Sequence, residues 1–192
     1  MQTLLLSTGV VTLAEIGDKT QLLAFILATR FKKPIPIILG ILCATIINHA
    51  LAGAVGAWIT TAISPQALRW ILGISFIAMA AWTLIPDKID EDEAPLGGKF
   101  GVFGATLVTF FLAEMGDKTQ LATVALAAKS AFPIEVVIGT TLGMMIADVP
   151  AVILGKQLGQ RISMKLVHTI AACIFLVLGV ATLLGAGSGW GF

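Results

Sequence analysis

The stretch AEIGDKTQL at residues 14–22 returns as AEMGDKTQL at residues 113–121, and the 99-residue offset between them holds far beyond the motif. Glu15 maps to Glu114, Gly17 to Gly116, Asp18 to Asp117, Lys19 to Lys118, Thr20 to Thr119 and Gln21 to Gln120. The register continues through Pro34 and Pro133, Gly40 and Gly139, Gly56 and Gly155, Ser64 and Ser163, and Phe76 and Phe175. Chance matching of apolar residues does not align prolines, glycines and a charged hexapeptide without a gap, so the chain is a duplicated unit.

Each unit is strongly apolar. The chain is 57% hydrophobic and 12% charged with mean hydropathy +0.98, against roughly 25% charged residues in a soluble domain. Cutting at Pro, Gly and charge clusters gives expected spans near 2–29, 35–60, 66–85, 101–128, 134–155 and 164–185, each long enough to cross a hydrocarbon core about 30 Å thick. The fold class expected is therefore an all-α polytopic membrane protein. A first three-span repeat occupies 1–85, an acidic linker 86–99 and a second three-span repeat 100–192. With three spans per unit, the second copy enters the membrane from the opposite face. The six transmembrane helices are then two inverted three-helix repeats, an arrangement used by secondary transporters.

Lys and Arg outside the motifs set the expected orientation. Arg30, Lys32, Lys33, Lys88, Lys99, Lys156, Arg161 and Lys165 collect on one side, with Arg69 and Lys129 on the other. The first group is expected in the cytoplasm together with the 86–99 loop, and both termini outside. The N-terminal stretch has no positive n-region and reads as the first span rather than a cleaved signal. A net charge of +1 offers no polybasic face for nucleic acid. Cys43 and Cys173 form neither a disulfide framework nor a zinc motif and are expected to fill space. GDKT lacks the glycine spacing of a phosphate-binding loop, so nucleotide binding is rejected and no cofactor is expected.

The motif places charge where the bilayer resists it. By insertion scales each Asp or Lys at mid-membrane costs roughly 2.5–3.5 kcal/mol. Inert Glu15–Lys19 and Glu114–Lys118 pairs are one answer, but four carboxylates then face two lysines. The other answer brings Glu15, Asp18, Glu114 and Asp117 together as an oxygen-rich cage for a divalent cation, with Lys19 and Lys118 neutralising the empty cage. Thr20, Thr119, Gln21 and Gln120 add hard oxygen donors of the kind that suit manganese, calcium or magnesium. Met115 adds a possible soft contact, although its counterpart Ile16 favours packing.

The first span of about 29 residues is about 44 Å long as a straight helix, more than the bilayer needs. A bend or unwinding at Gly17 and Gly116 is therefore expected, exposing backbone carbonyls as further ligands. Asp148 in the fifth span stands where the second has His49. Either is a candidate proton relay, and a neutral His49 bonded to backbone or to Asn48 is the competing expectation. Gly139 and Gly143, echoed by Gly40 and Ala44, read as a close-packing face. Trp58, Trp70, Trp82 and Trp190 read as interfacial anchors.

Two copies of E-x-G-D-K-T, each in the first span of a three-span unit and separated by an acidic loop, resemble the Gdt-type calcium/manganese cation–proton exchangers of Golgi membranes, plastids and bacteria. The resemblance covers essentially the whole chain. It implies a metal site of Glu15, Asp18, Glu114 and Asp117, exchange of Mn2+ or Ca2+ for protons, and manganese export in bacterial members. Short termini without an organellar extension imply the bacterial inner membrane. The competing functions are a divalent cation channel with the same acids as a selectivity ring, an intramembrane metal-dependent enzyme and a non-transporting assembly factor.

Overall fold

The computed structural model describes residues 1–85, 101–154 and 164–185. The linker 86–99 with Lys88 and Lys99, and Gly155, Lys156, Arg161, Ser163 and Trp190, lie outside the described residues. The described part is helical throughout: α1 (Gln2–Glu15), α2 (Lys19–Phe31), α3 (Pro34–Ala62), α4 (Pro65–Thr83), α5 (Gly101–Glu114), α6 (Lys118–Lys129), α7 (Pro133–Leu154) and α8 (Met164–Leu183). Three of these, in α3, α7 and α8, are long and apolar enough to cross a membrane. The surface agrees, since Leu5, Trp58, Ile134, Ile153 and Val177 are exposed while Glu15, Thr45, Asn48, Glu114 and Asp148 are buried. Apolar residues outside and polar ones inside suit lipid as the solvent.

The boundaries have local causes. Pro34 and Pro65 stand in the first turns of α3 and α4 and Pro133 begins α7. There the missing N–H costs nothing and the fixed φ already suits a helix. Ser64 caps α4 by accepting from the Ala67 N–H, and Lys32 ends α2 in the left-handed conformation at φ 52°. The expected first and fourth spans are each two helices rather than one, interrupted at residues 16–18 and 115–117. α7 runs on through Pro150.

Helices of one repeat pack on those of the other. A Cβ added at Gly139 of α7 would stand 2.6 Å from Leu4 O and 2.9 Å from Ser7 Cβ of α1. The same contact recurs 99 residues away, where a Cβ at Gly40 of α3 would stand 2.9 Å from Phe103 O and 2.7 Å from Thr106 Cβ of α5. The close-packing face is thus real, and its partner is the first helix of the opposite repeat. α4 and α8 meet through Phe76 and Phe175, whose rings stack with centroids 6.4 Å apart. Gly73 meets Gly179 and Leu183, so residue numbers rise along α4 as they fall along α8, and the two helices are antiparallel. Cys43 is half-buried and Cys173 exposed, so Cys173 does not fill interior space.

Candidate metal centre

Both helix breaks have one design. After Glu15 the chain turns through extended Ile16 and Gly17 at φ 87°, and α2 restarts behind Asp18 at φ −79°, ψ 170°. After Glu114 it turns through Gly116 at φ 81°, and α6 restarts behind Asp117 with the same angles. Only glycine adopts such positive φ without a steric penalty. The Asp18 N–H closes each turn on Glu15 O at 3.0 Å, as the Asp117 N–H does on Glu114 O at 3.1 Å. Each of those two carbonyls therefore has one of its two acceptor positions taken within the turn.

Gln21 and Gln120 serve the break as well. Gly17 N–H donates to Gln21 Oε1 at 2.9 Å and Gly116 N–H to Gln120 Oε1 at 2.6 Å. Gln21 Nε2 also donates to Ala147 O on α7 at 3.0 Å. Their amide oxygens, expected as cation donors, are committed to backbone that the interruption leaves without helical partners. Asp18 and Asp117 occupy the N-cap positions of α2 and α6, and both carboxylates are buried.

Glu15, Glu114 and Asp117 each bring a carboxylate oxygen within 4.8 Å of the others, and all three residues are buried. A side-chain hydrogen bond links Asp18 to Asp117, and Asp18 also meets the lysine of the other repeat, with Lys118 Nζ 3.3 Å from its Oδ1. The lysine therefore bridges the repeats to Asp18, and among the described residues no ion pair with Glu114 is found. The two copies diverge further in their threonines. Thr119 Oγ1 donates to Glu114 Oε2 at 3.1 Å, whereas buried Thr20 Oγ1 finds no hydrogen-bond partner among the described residues. Lys118 is 2% exposed and Lys19 half-exposed, and Lys19 acts electrostatically on Asp117.

Unsatisfied oxygen concentrates here. Among the described residues both carboxylate oxygens of Glu15, Glu114 Oε1, Asp117 Oδ2 and both oxygens of Asp148 are buried without a hydrogen bond. A buried polar atom left so calls for a proton, a water or an ion, and convergent carboxylates with more oxygens than protein donors suit a hard cation. Asp148 acts electrostatically on both Glu15 and Glu114, so α7 adds a fifth acid to the surroundings of the cluster. His49, its counterpart on α3, is buried with neither ring nitrogen hydrogen-bonded, and among the described residues no charged side chain acts on it. Asn48 instead donates to Phe111 O at 3.1 Å. The expected bond between His49 and Asn48 or backbone is absent among the described residues.

Met115 is 55% exposed and lies away from the buried cluster, because the turn that aims Asp117 inward leaves residue 115 outside. Trp82, expected as an interfacial anchor, has its ring centroid 5.8 Å from Lys118 Nζ. Its position near a span end concealed that contact. A substitution at the break has a defined cost. No atom lies within 4 Å of a Cβ added at Gly116, so Gly116→Ala pays for conformation alone, about 1–2 kcal/mol. Thermal unfolding in detergent is expected to fall accordingly for Gly116→Ala and less for Gly116→Asn, and equal losses would deny the left-handed strain.

A model of the divalent cation/proton antiporter GDT1 family matches residues 3–91 and 102–190, two segments that begin 99 residues apart. The chain belongs to the GDT1 family. Among curated relatives, a Vibrio cholerae protein whose name gives manganese export as a proposed role is 47% identical over 183 residues, covering 95% of this chain and 90% of its own. A GDT1-like protein of Synechocystis is 30% identical, covering 90% of this chain and 92% of its own. GDT1-like protein 3 of Oryza sativa is also 30% identical, covering 92% of this chain and 71% of its own. No solved structure matches the chain. As a GDT1 protein this chain is a membrane transporter of divalent cations and not an enzyme, and the metal is cargo rather than cofactor.

Proposed function

We propose that this chain exports Mn2+ from the cytoplasm in exchange for protons, with Ca2+ as the other ion its hard oxygen donors suit, through a site of Glu15, Glu114, Asp117 and Asp18. The observation that carries the reading is the convergence of Glu15, Glu114 and Asp117 from two separate helix breaks. The name of the Vibrio cholerae relative favours manganese. Thr119, bonded to Glu114, is a further oxygen donor with Thr20 as its counterpart, and Asp148, whose charge acts on Glu15 and Glu114, is the proposed proton relay.

The architecture proposed is six spans in two inverted repeats, 1–85 and 100–192, joined by a cytoplasmic 86–99 linker, with both termini outside a bacterial inner membrane. α1 with α2, and α5 with α6, then each make one interrupted span. The antiparallel packing of α4 against its own equivalent α8 supports the inversion, since equivalents in a direct repeat run the same way. Interrupted helices meeting at mid-membrane are also where alternating-access carriers build their sites.

Exchange follows from competition for one set of oxygens. Carboxylates must shed protons to hold a divalent ion, so metal entering from the cytoplasm releases protons, and protons from outside displace it after the repeats rock. Lys19 and Lys118 reduce the net negative charge of the site on the return step. Apparent Mn2+ affinity is expected to weaken as pH falls, by up to about tenfold per pH unit for each proton displaced. Mn2+ and Ca2+ flux into proteoliposomes under an imposed pH gradient tests the whole reading. Metal movement that follows the gradient supports a coupled carrier, whereas large gradient-insensitive currents indicate a channel and overturn it.

A further inference from the structure

The two motifs are nearly identical in sequence, yet their lysines are not equivalent in the structure. Lys118 is buried and its ammonium stands between two groups that attract a cation: Asp18 Oδ1 at 3.3 Å and the ring of Trp82, with its centroid at 5.8 Å. Trp82 is half-buried on the last turn of α4, so this seat joins residues of the first repeat to a lysine of the second. The residue 99 positions after Trp82 is Ala181. Alanine thus stands where a matching wall for Lys19 would be, no ring contact to Lys19 is found among the described residues, and Lys19 is half-exposed.

We infer that Trp82 is a positioning residue that docks Lys118 against Asp18, making the lysine a tethered cation that competes with the transported metal for that carboxylate. The inference rests on the proposed carboxylate site. A desolvated ammonium on an indole face gains from the ring quadrupole, and a charge-assisted contact to a buried carboxylate adds to it. With Lys118 docked, three acids converge and the fourth is neutralised by the protein itself. A metal ion that recruits Asp18 must first displace the lysine, and the lysine returns when the metal leaves. Among the described residues only Lys118 has a tryptophan seat, so docking acts on the two repeats unequally.

The test is Mn2+ binding by calorimetry to the purified full chain, comparing wild type with Trp82→Ala, Trp82→Phe, Lys118→Gln and Trp82→Ala with Lys118→Gln. Thermal unfolding of each variant checks folding. Weakening the competitor strengthens the metal, so Trp82→Ala is expected to bind Mn2+ roughly three- to tenfold more tightly, with Trp82→Phe close to wild type. In the Lys118→Gln background, Trp82→Ala is expected to change nothing. Unchanged or weaker binding by folded Trp82→Ala overturns the inference, as does an equal gain with and without Lys118. Should Lys118→Gln fail to fold, the contrast between Ala and Phe at position 82 decides, and equal affinities of those two variants overturn it. A folded wild type that binds neither Mn2+ nor Ca2+ overturns the carboxylate site itself, and this inference with it, which separates the two failures.

Discussion

Glu15→Gln and Glu114→Gln are each expected to reduce Mn2+ transport at least about a hundredfold while leaving the protein folded. Outer-shell partners of metal sites already cost about 10–100-fold on mutation, and these two glutamates supply oxygens directly to the convergent cluster. Glutamine keeps the shape and one oxygen but loses both the negative charge and the exchangeable proton. Metal binding and proton coupling should therefore fail together. Neither Glu15 oxygen has a hydrogen-bond partner among the described residues, so its substitution breaks no protein contact that the fold uses. Flux in proteoliposomes, read beside thermal unfolding, distinguishes loss of chemistry from loss of structure. A Glu15→Gln protein that exchanges metal near the wild-type rate would remove that residue from the site.

The second large effect falls on stability. Gly139→Val and Gly143→Val are expected to destabilise the protein by more than about 3 kcal/mol each, above the usual range for overpacking. The atoms in the way are backbone. A Cβ at Gly139 would stand 2.6 Å from Leu4 O, and one at Gly143 would stand 2.7 Å from Thr8 O and 3.0 Å from Thr12 N. Side chains can rotate away from such a contact, but here α1 itself must move off α7. Since α1 ends at Glu15, the same displacement pulls a carboxylate from the cluster. Gly9→Ala in α1 is the control. Its added Cβ meets nothing within 4 Å, and alanine is favoured over glycine in a helix by up to about 1 kcal/mol. Thermal unfolding in detergent should fall steeply for the valine variants and hold or rise for Gly9→Ala.

The duplication and the helix breaks were legible in the residues. Glycine beside two charged residues, in a run too long for one straight span, has few physical solutions, and φ 87° at Gly17 and 81° at Gly116 are among them. The partner of the Gly139 face was not legible. A stripe of small residues announces close approach but does not say which helix approaches. Nor was the division of labour among the four acids, because the motifs that carry them differ by a single residue. Asymmetry enters through neighbours distant in sequence, with Trp82 against Ala181 and Asp148 against His49. Gln21 and Gln120 show a related limit. Donor chemistry names what an amide oxygen can bind, while the turn at Gly17 and Gly116 determines that a backbone N–H reaches it first.

The most direct test of a site shared by metal and protons needs no membrane. Mn2+ is added to purified protein in weakly buffered detergent solution while pH and bound metal are followed together. Stoichiometric proton release on binding by the wild type, with release and binding both lost in Glu15→Gln and Glu114→Gln, is the predicted result. Mn2+ binding that releases no protons at any pH where the protein is folded would contradict it.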